Sequence, residues 1–258
     1  LPCFLILFFT SAYALIVQPD KSLLSTDTII FDLRPLEEFK KERVKDSLHV
    51  DYEYFEPQLL NKNYANFITF LRLAGVNENT KIFFLINNEN DIKKSAFLGF
   101  FLHLLGVKNI KFIDGGISYW KQSGLPTQTI GRKLEPKNFQ PKINENTFFE
   151  KPDKNFFKQK NIIILRSEQN TNDIIKGVVS INIEDFFING TLKEIHSLFE
   201  LLHSYKIEPH KKIFLYPEQS EKTYIIAFLL KNYLEYKNVK ILKGDESLWL
   251  KLKILQKR

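Results

Sequence analysis

The only thiol of this 258-residue sequence belongs to Cys3, so no residue after position 3 can do cysteine chemistry. A single cysteine also excludes internal disulfides and any zinc or iron–sulfur site built from cysteines. The five histidines (His49, His103, His196, His203 and His210) show no ligand spacing, because even His196 and His203 lie about two helical turns apart. We therefore predict no metal site and no cofactor.

The charge pattern argues against a nucleic-acid partner. The formal net charge is +7, but the lysines alternate with acidic residues, as in Glu37–Arg43. A nucleic-acid-binding chain would concentrate its positive charge in runs or in a recognisable motif, and neither occurs here. A hydrophobic content of 44% is enough to build sizeable cores.

The amino-terminal segment predicts export. Residues 1–17 carry no charge, and Ala12-Tyr13-Ala14 has the small-x-small pattern of a signal-peptidase site. The apolar stretch is short for a membrane span. We predict a signal peptide over residues 1–14 and a periplasmic or secreted protein, although the segment lacks a basic start and a Met. The alternative is an uncleaved membrane anchor, which would be the chain's only contact with a membrane.

An internal repeat organises the rest of the chain. Four segments of the first part recur in the same order about 130 residues later. The matching pairs are Ile30–Arg34 with Ile162–Arg166, Lys81–Leu85 with Lys212–Tyr216, Lys108–Gly115 with Lys237–Gly244, and Trp120 with Trp249. Such agreement indicates two homologous domains in tandem. We place them at residues 15–126 and 142–258, with a linker at 127–141.

Each copy alternates apolar runs with helical stretches. The predicted strands are Ile29–Leu33, Ile82–Ile86 and Ile110–Ile113 in the first copy, and Asn161–Leu165, Ile213–Tyr216 and Val239–Leu242 in the second. The predicted helices are Ser95–Leu105 and Thr223–Leu234. Apolar runs without polar alternation are typical of strands buried on both faces. The order therefore predicts an α/β fold in which each domain is a parallel sheet with helices on both faces.

These residues resemble the rhodanese family. Asp32-Leu33-Arg34, with Glu38-Phe39 after it, is similar to the opening D-x-R motif of that family. The match continues through Leu105-Gly106-Val107, Asp114-Gly115-Gly116 and Gly124-Leu125-Pro126. The resemblance implies a tandem sulfurtransferase of the thiosulfate or mercaptopyruvate type. In such proteins the second domain carries a cysteine in a loop whose backbone N–H groups and following helix stabilise an anion.

The loop that the resemblance assigns to this chemistry has lost its nucleophile. It comprises Pro217, Glu218, Gln219, Ser220, Glu221, Lys222 and Thr223. Pro217 stands in the position of the family's cysteine and also removes a backbone N–H. Two glutamates put negative charge where an anion should bind, and Thr223 could serve as a helix cap. The corresponding loop of the first domain, Asn87–Lys94, has no thiol either.

The residues left for binding are Arg34, Arg166 and Lys222. Each could hold a small anion. The residues favour a structural role for the two arginines, which would hold a carboxylate or backbone carbonyls at the strand ends, and a solvated loop charge for Lys222. We predict no catalytic residue and a degenerate, exported binding or scaffold module whose partner is a protein or a small anion. The alternative is a sulfurtransferase-related enzyme that works with a partner's thiol.

Overall fold

The computed structural model describes residues 14–131, 135–149, 156, 161–167, 178–216 and 220–243. Within these ranges the chain forms two five-stranded parallel sheets flanked by helices. The α/β architecture predicted from the sequence is therefore confirmed. The signal-peptide prediction for residues 1–14 lies outside these ranges except for Ala14. No helix in the described ranges is both long enough and apolar enough to cross a bilayer.

The first half of the molecule (residues 14–128) carries one sheet and five helices. Its sheet strands are β1 (Ile16–Val17), β2 (Thr28–Asp32), β4 (Leu48–His49), β5 (Lys81–Leu85) and β6 (Asn109–Ile113). A short antiparallel pair joins β3 (Arg43–Val44) to β7 (Thr127–Gln128). The helices are α1 (Leu36–Lys41), α2 (Tyr52–Leu60), α3 (Ala65–Leu73), α4 (Glu89–Leu104) and α5 (Gly116–Gln122). The sheet order is β1-β6-β5-β2-β4.

The second half (residues 148–243) repeats this topology. Its sheet strands are β8 (Phe148–Phe149), β9 (Ile162–Arg166), β10 (Val178–Ser180), β13 (Lys212–Leu215) and β14 (Val239–Leu242). A hairpin joins β11 (Phe187–Ile188) to β12 (Thr191–Leu192), and the described helices are α6 (Ile195–Ser204) and α7 (Glu221–Asn232). The order β8-β14-β13-β9-β10 matches the first sheet strand for strand.

The apolar runs of the sequence form the centres of both sheets. All six predicted strands are present, with ends that agree within one residue. In the first half, β5 pairs in parallel with β2 through Ile82 and Ile29, and with β6 through Ile82 and Ile110. Because these central strands are covered on both faces, they need apolar side chains at every position. This is why uninterrupted runs were enough to find them.

Helix α4 begins six residues earlier than the sequence predicted. Glu89–Lys94 was interpreted as loop but forms the first turns of α4. Asn88 is the N-cap, and its side-chain oxygen accepts a hydrogen bond from Asp91 N at 3.0 Å. Asparagine is among the best N-cap residues because it satisfies a backbone N–H that the helix leaves unpaired. The polar composition that suggested a loop belongs to the largely half-buried first turns of a helix, in which Ile92 is buried.

Residues between the two halves lie against the first half. Phe139 is buried, and its carbonyl accepts a hydrogen bond from Arg72 Nε at 3.0 Å. Farther along, Lys142 N and Asn144 N donate to the carbonyls of Leu105 and Leu104 at the end of α4. The segment predicted as a linker, residues 127–141, thus buries one large apolar side chain. The residues that follow it lie along the end of α4.

The two halves are joined by the packing of α4 against α7. The closest approach lies at Gly99, where a Cβ atom would stand 2.6 Å from the Phe228 ring. Around Tyr224 of α7 lie the rings of Phe100 and Phe101, with ring centroids 5.0 Å away in both cases. Gly99, Phe100, Phe101, Tyr224 and Phe228 are buried, so one apolar core runs through both halves.

Replacing Gly99 by alanine tests this close approach. In an ordinary helix interior the change stabilises by about 1 kcal/mol. Here we expect Gly99→Ala to lower the free energy of unfolding by about 1–3 kcal/mol, because the new methyl group overlaps a buried ring. Chemical denaturation followed by circular dichroism measures the difference. In a Phe228→Ala background the same change should be neutral or stabilising, and stabilisation in the wild-type background would contradict the packing.

A histidine lies at the edge of this interface. His103 of α4 packs its ring against Phe228, with centroids 5.6 Å apart, and its Nδ1 lies 2.7 Å from the Val107 carbonyl oxygen. Burial lowers the pKa of His103 below its ordinary value of 6.5, and a neighbouring lysine, Lys231, acts in the same direction. The hydrogen bond to Val107 opposes these effects without cancelling them. The imidazole is therefore neutral at pH 7.

This shift predicts a loss of stability in mild acid. As the pH falls, the unfolded chain binds a proton on His103 before the folded protein does. The stabilisation is therefore complete above about pH 6.5 and is lost progressively below it. We expect His103→Gln to reduce the fall in melting temperature between pH 7.5 and pH 5.5. The exposed His196→Gln is the matched control, and an equal effect of both changes would contradict the assignment.

Candidate functional site

The candidate site lies where the parallel strands end and the next helices begin. In open α/β sheets ligands bind at the carboxyl ends of the strands, near helix N-termini. In the first half this edge is formed by the ends of β2, β5 and β6 and by the starts of α4 and α5. In the second half it is formed by the ends of β9 and β13 and by the start of α7.

The first half has a cavity of about 420 Å³ at this edge. It is lined by Leu33, Arg34, Pro35, Glu38, Leu85, Asn87, Asn88, Asn90, Asp91, Lys94, Gly116, Ile117 and Ser118. The formal charges of its lining balance, because one arginine and one lysine face one glutamate and one aspartate. A cavity with this lining has no excess of positive charge with which to attract a simple anion.

An aspartate side chain already accepts a backbone N–H of this loop. Asp91 Oδ2 accepts the backbone N–H of Asn87 at 2.9 Å. Burial raises the pKa of Asp91, and the hydrogen bond from Asn87 partly opposes that rise. Gly116 closes the loop from the other side at φ +61, where a Cβ would lie 2.9 Å from Asn87. A backbone donor that an incoming anion would use is therefore already satisfied.

Arg34 is held by groups of its own half. Its guanidinium donates to both carboxylate oxygens of Asp32, with a shortest distance of 2.6 Å, and to the carbonyl of Glu42 at 2.9 Å. Asp32 is fully buried, so this arginine neutralises a carboxylate inside the protein. Arg34 lines the cavity, but its Nε and Nη2 groups donate to Asp32 and to the Glu42 carbonyl.

The second half has buried hydroxyl groups at the same edge. Pro217, Glu218 and Gln219 lie outside the described residues. Ser220 is the N-cap of α7 and makes no side-chain cap bond, and its Oγ has no hydrogen-bond partner among the described residues. Thr223 is therefore not the helix cap that the sequence suggested. Its Oγ1 lies 3.2 Å from Ser167 Oγ, and both residues are buried beside Arg166.

A hydrogen bond between the halves closes over the start of α7. Tyr52 of α2 donates its hydroxyl to Glu221 Oε2 at 2.6 Å. Burial raises the pKa of Tyr52, and the hydrogen bond to Glu221 adds to the rise, so the phenol stays protonated. Glu56 lies close enough for its own pKa to be raised, first by partial burial and then by Glu221 and Glu53. The start of α7 therefore carries the negative charge of Glu221, with Glu56 and Glu53 nearby.

Ion pairs lie around this edge, and one of them joins the halves. Lys93 of α4 pairs with Glu89 of its own helix and with Glu184 of the second half, each at 2.7 Å. Lys94 pairs with Glu53 at 2.5 Å. The positive side chains at the start of α4 are thus paired with carboxylates.

Comparison with known protein families gives a match that covers the first-half cavity. The family model described as "Rhodanese-like domain" matches residues 20–123. Residues 20–123 are thus similar to a rhodanese-like domain. The range includes Asp32, Arg34 and the whole cavity of the first half.

A curated relative extends the likeness to sulfurtransferases. The protein named "Putative thiosulfate sulfurtransferase" from Synechococcus elongatus is 24% identical over 197 residues, which is 67% of this chain. The match spans 60% of that relative's length, so this chain corresponds to part of it.

Solved structures establish the fold of both halves. The 3-mercaptopyruvate sulfotransferase SseA of Escherichia coli aligns with a TM-score of 0.69 at 15% identity, over 90% of this chain and 98% of that one. EanB aligns with a TM-score of 0.62 at 13% identity, over 87% of this chain and 61% of that one. The two sheets therefore have the arrangement of tandem rhodanese-like domains.

The residues singled out from the sequence do not form one site. Arg34 lines the cavity of the rhodanese-like domain at residues 20–123, and that lining includes neither Arg166 nor Lys222. A role for these three side chains in anion binding stays a prediction. Sequence reasoning missed Tyr52 and Asp91. The Asn88-x-x-Asp91 spacing carries a helix-start signal, whereas the Tyr52–Glu221 bond joins residues 169 positions apart.

Removing the Tyr52 hydroxyl should loosen the junction between the halves. We expect Tyr52→Phe to lower the free energy of unfolding by about 1–2 kcal/mol, because Glu221 loses a charge-assisted hydrogen bond. Tyr54→Phe is the matched control, since Tyr54 is exposed, and should cost less than about 0.5 kcal/mol. A double-mutant cycle with Glu221→Ala isolates the pair, because alanine removes the acceptor, and additive effects would show that the bond contributes nothing.

Proposed function

We propose that this chain is a non-catalytic rhodanese-like module that is exported and acts by binding a partner. The observation that carries the proposal is the state of the two strand-end sites. The 258-residue sequence has no cysteine other than Cys3, and Pro217 stands in the family's nucleophile position. In the first half, the loop donor is satisfied by Asp91. In the second, Glu221 at the start of α7 is held by Tyr52.

The remaining oxygen nucleophiles do not support catalysis. A serine or threonine needs a base in hydrogen-bond contact to become reactive. Thr223 contacts another hydroxyl, that of Ser167. His49 meets the first site at a main-chain atom, because its Nε2 lies 3.0 Å from the Arg34 carbonyl oxygen. The geometry therefore favours binding through shape and charge over turnover.

The export part of the proposal rests on the uncharged segment of residues 1–17 and on Ala12-Tyr13-Ala14. A membrane anchor formed by the same segment is the alternative. The partner is a protein or a small anion.

The second candidate is a sulfurtransferase-related enzyme that uses a thiol supplied by a partner. The name of the Synechococcus elongatus relative favours it. In that scheme the partner's thiolate attacks the outer sulfur of thiosulfate, the S–S bond of thiosulfate breaks and sulfite leaves. The partner then carries a persulfide, while this chain only holds the donor. The first-half cavity of about 420 Å³ is large enough for such a donor.

Turnover assays separate the two candidates. We expect no catalysis by the full chain. Sulfur should pass from thiosulfate or 3-mercaptopyruvate to cyanide at the same rate with the protein as without it. The Cys3→Ser variant is the control, because it removes the only thiol. Turnover that survives in this variant would contradict the proposal. Turnover that appears only after glutathione or reduced thioredoxin is added would establish the second candidate instead.

A further inference from the structure

A basic groove lies at the edge opposite the candidate site. Two cavities, of about 440 and 430 Å³, share Asn144 and Lys231 in their linings. Lys212 and Val239, which line the second cavity, are the first residues of β13 and β14. Lys108, which lines the first, directly precedes β6. The groove therefore runs along the amino ends of strands from both sheets.

The groove exists because the two halves pack together. The first half contributes the end of α4 and the turn after it, including His103 and Gly106. The second half contributes the end of α7, including Phe228 and Lys231. The segment between the halves forms part of the wall, since Lys142 N is fixed to the Leu105 carbonyl at 3.0 Å. Main-chain and helix contacts thus hold the lining in place.

The positive charge of this groove is not balanced by acidic side chains in its lining. The two linings contain six lysines and no aspartate or glutamate. These lysines are Lys108, Lys142, Lys212, Lys231, Lys237 and Lys240. Over the described part of the chain, none of the six forms an ion pair with a carboxylate. Glu145, between two lining asparagines, pairs with Lys243 at 3.7 Å instead.

Lysines at the opposite edge of the molecule, by contrast, do have carboxylate partners. There, Lys93 and Lys94 are paired with glutamates at 2.7 and 2.5 Å. In the groove, Lys231 is half-buried, and burial lowers its pKa, an effect to which the charge of Lys240 adds. A bound anion would replace the water that these ammonium groups lose and would relieve their mutual repulsion.

The remaining lining indicates what kind of anion fits. Aromatic rings contribute apolar surface, from Phe100 and Phe228 in the first cavity and Phe149 and Phe214 in the second. Side-chain amides add hydrogen-bonding groups. Lysines suit phosphate groups as point charges, and aromatic faces suit a flat heterocycle. Each cavity also has the volume of an ordinary small-molecule site.

We propose that the groove binds a nucleoside di- or triphosphate. The phosphates lie against the lysines that surround Lys231, where the two cavities meet. The base packs against an aromatic wall of one of the cavities. This site is independent of the strand-end edge, so its occupancy does not require sulfur transfer.

Calorimetric titration of the full chain tests the proposal. We expect ATP to bind with a dissociation constant in the micromolar to low millimolar range, about tenfold or more tighter than adenosine, and to weaken as salt rises. Lys231→Gln should weaken ATP binding about tenfold. Lys142→Gln should also weaken ATP binding. Lys142 is an exposed residue of the lining, so this variant tests the site even if Lys231→Gln misfolds. Lys137→Gln, exposed and outside both linings, should change binding less than about twofold.

Four results would overturn the proposal. Adenosine binding as tightly as ATP would remove the role of the phosphates. Tripolyphosphate binding as tightly as ATP would remove the role of the base. An equal loss in Lys137→Gln would show attraction to net charge alone. A single-stranded oligonucleotide that displaces ATP at a lower concentration would assign the groove to nucleic acid.

Discussion

The contact between α4 and α7 is the constraint on which the rest of the molecule depends. Two helices can approach this closely only if one of them lacks a side chain at the crossing, and Gly99 supplies that position under the Phe228 ring. Aromatic residues of both helices then close around Tyr224, and a single apolar core extends through both halves. The apolar surface buried in this core offsets the conformational freedom that the two halves lose when they pack together.

Both edges of the molecule follow from that contact. At the carboxyl ends of the strands it brings α2 next to α7, so that Tyr52 reaches Glu221, and it places Lys93 beside Glu184. These groups form a hydrogen bond and an ion pair between the halves at the edge that holds the candidate site. At the amino ends the same contact leaves a groove whose six lining lysines form no ion pair with a carboxylate among the described residues. One packing arrangement therefore pairs charged groups at one edge and leaves the lysines of the other available to a ligand.

The sequence was enough to predict the two sheets but not the contacts between the two halves. Central strands such as Ile82–Leu85 need apolar residues at every position, and this requirement is visible as a run. The repeat could be recognised because the same runs recur in the same order. Helix α4 was predicted too short, because its capped first turns are as polar as a loop. The Tyr52–Glu221 bond and the groove depend on how the helices cross, which no local pattern records.

Native-state hydrogen exchange tests most directly whether the α4–α7 contact makes the halves one unit. Amides of β5 report on the first sheet and amides of β13 on the second. If the account is correct, the slowest amides of both strands exchange with the same opening free energy, equal to that of global unfolding. A lower opening free energy in one strand than in the other would show that the halves unfold separately. That result would contradict the central claim.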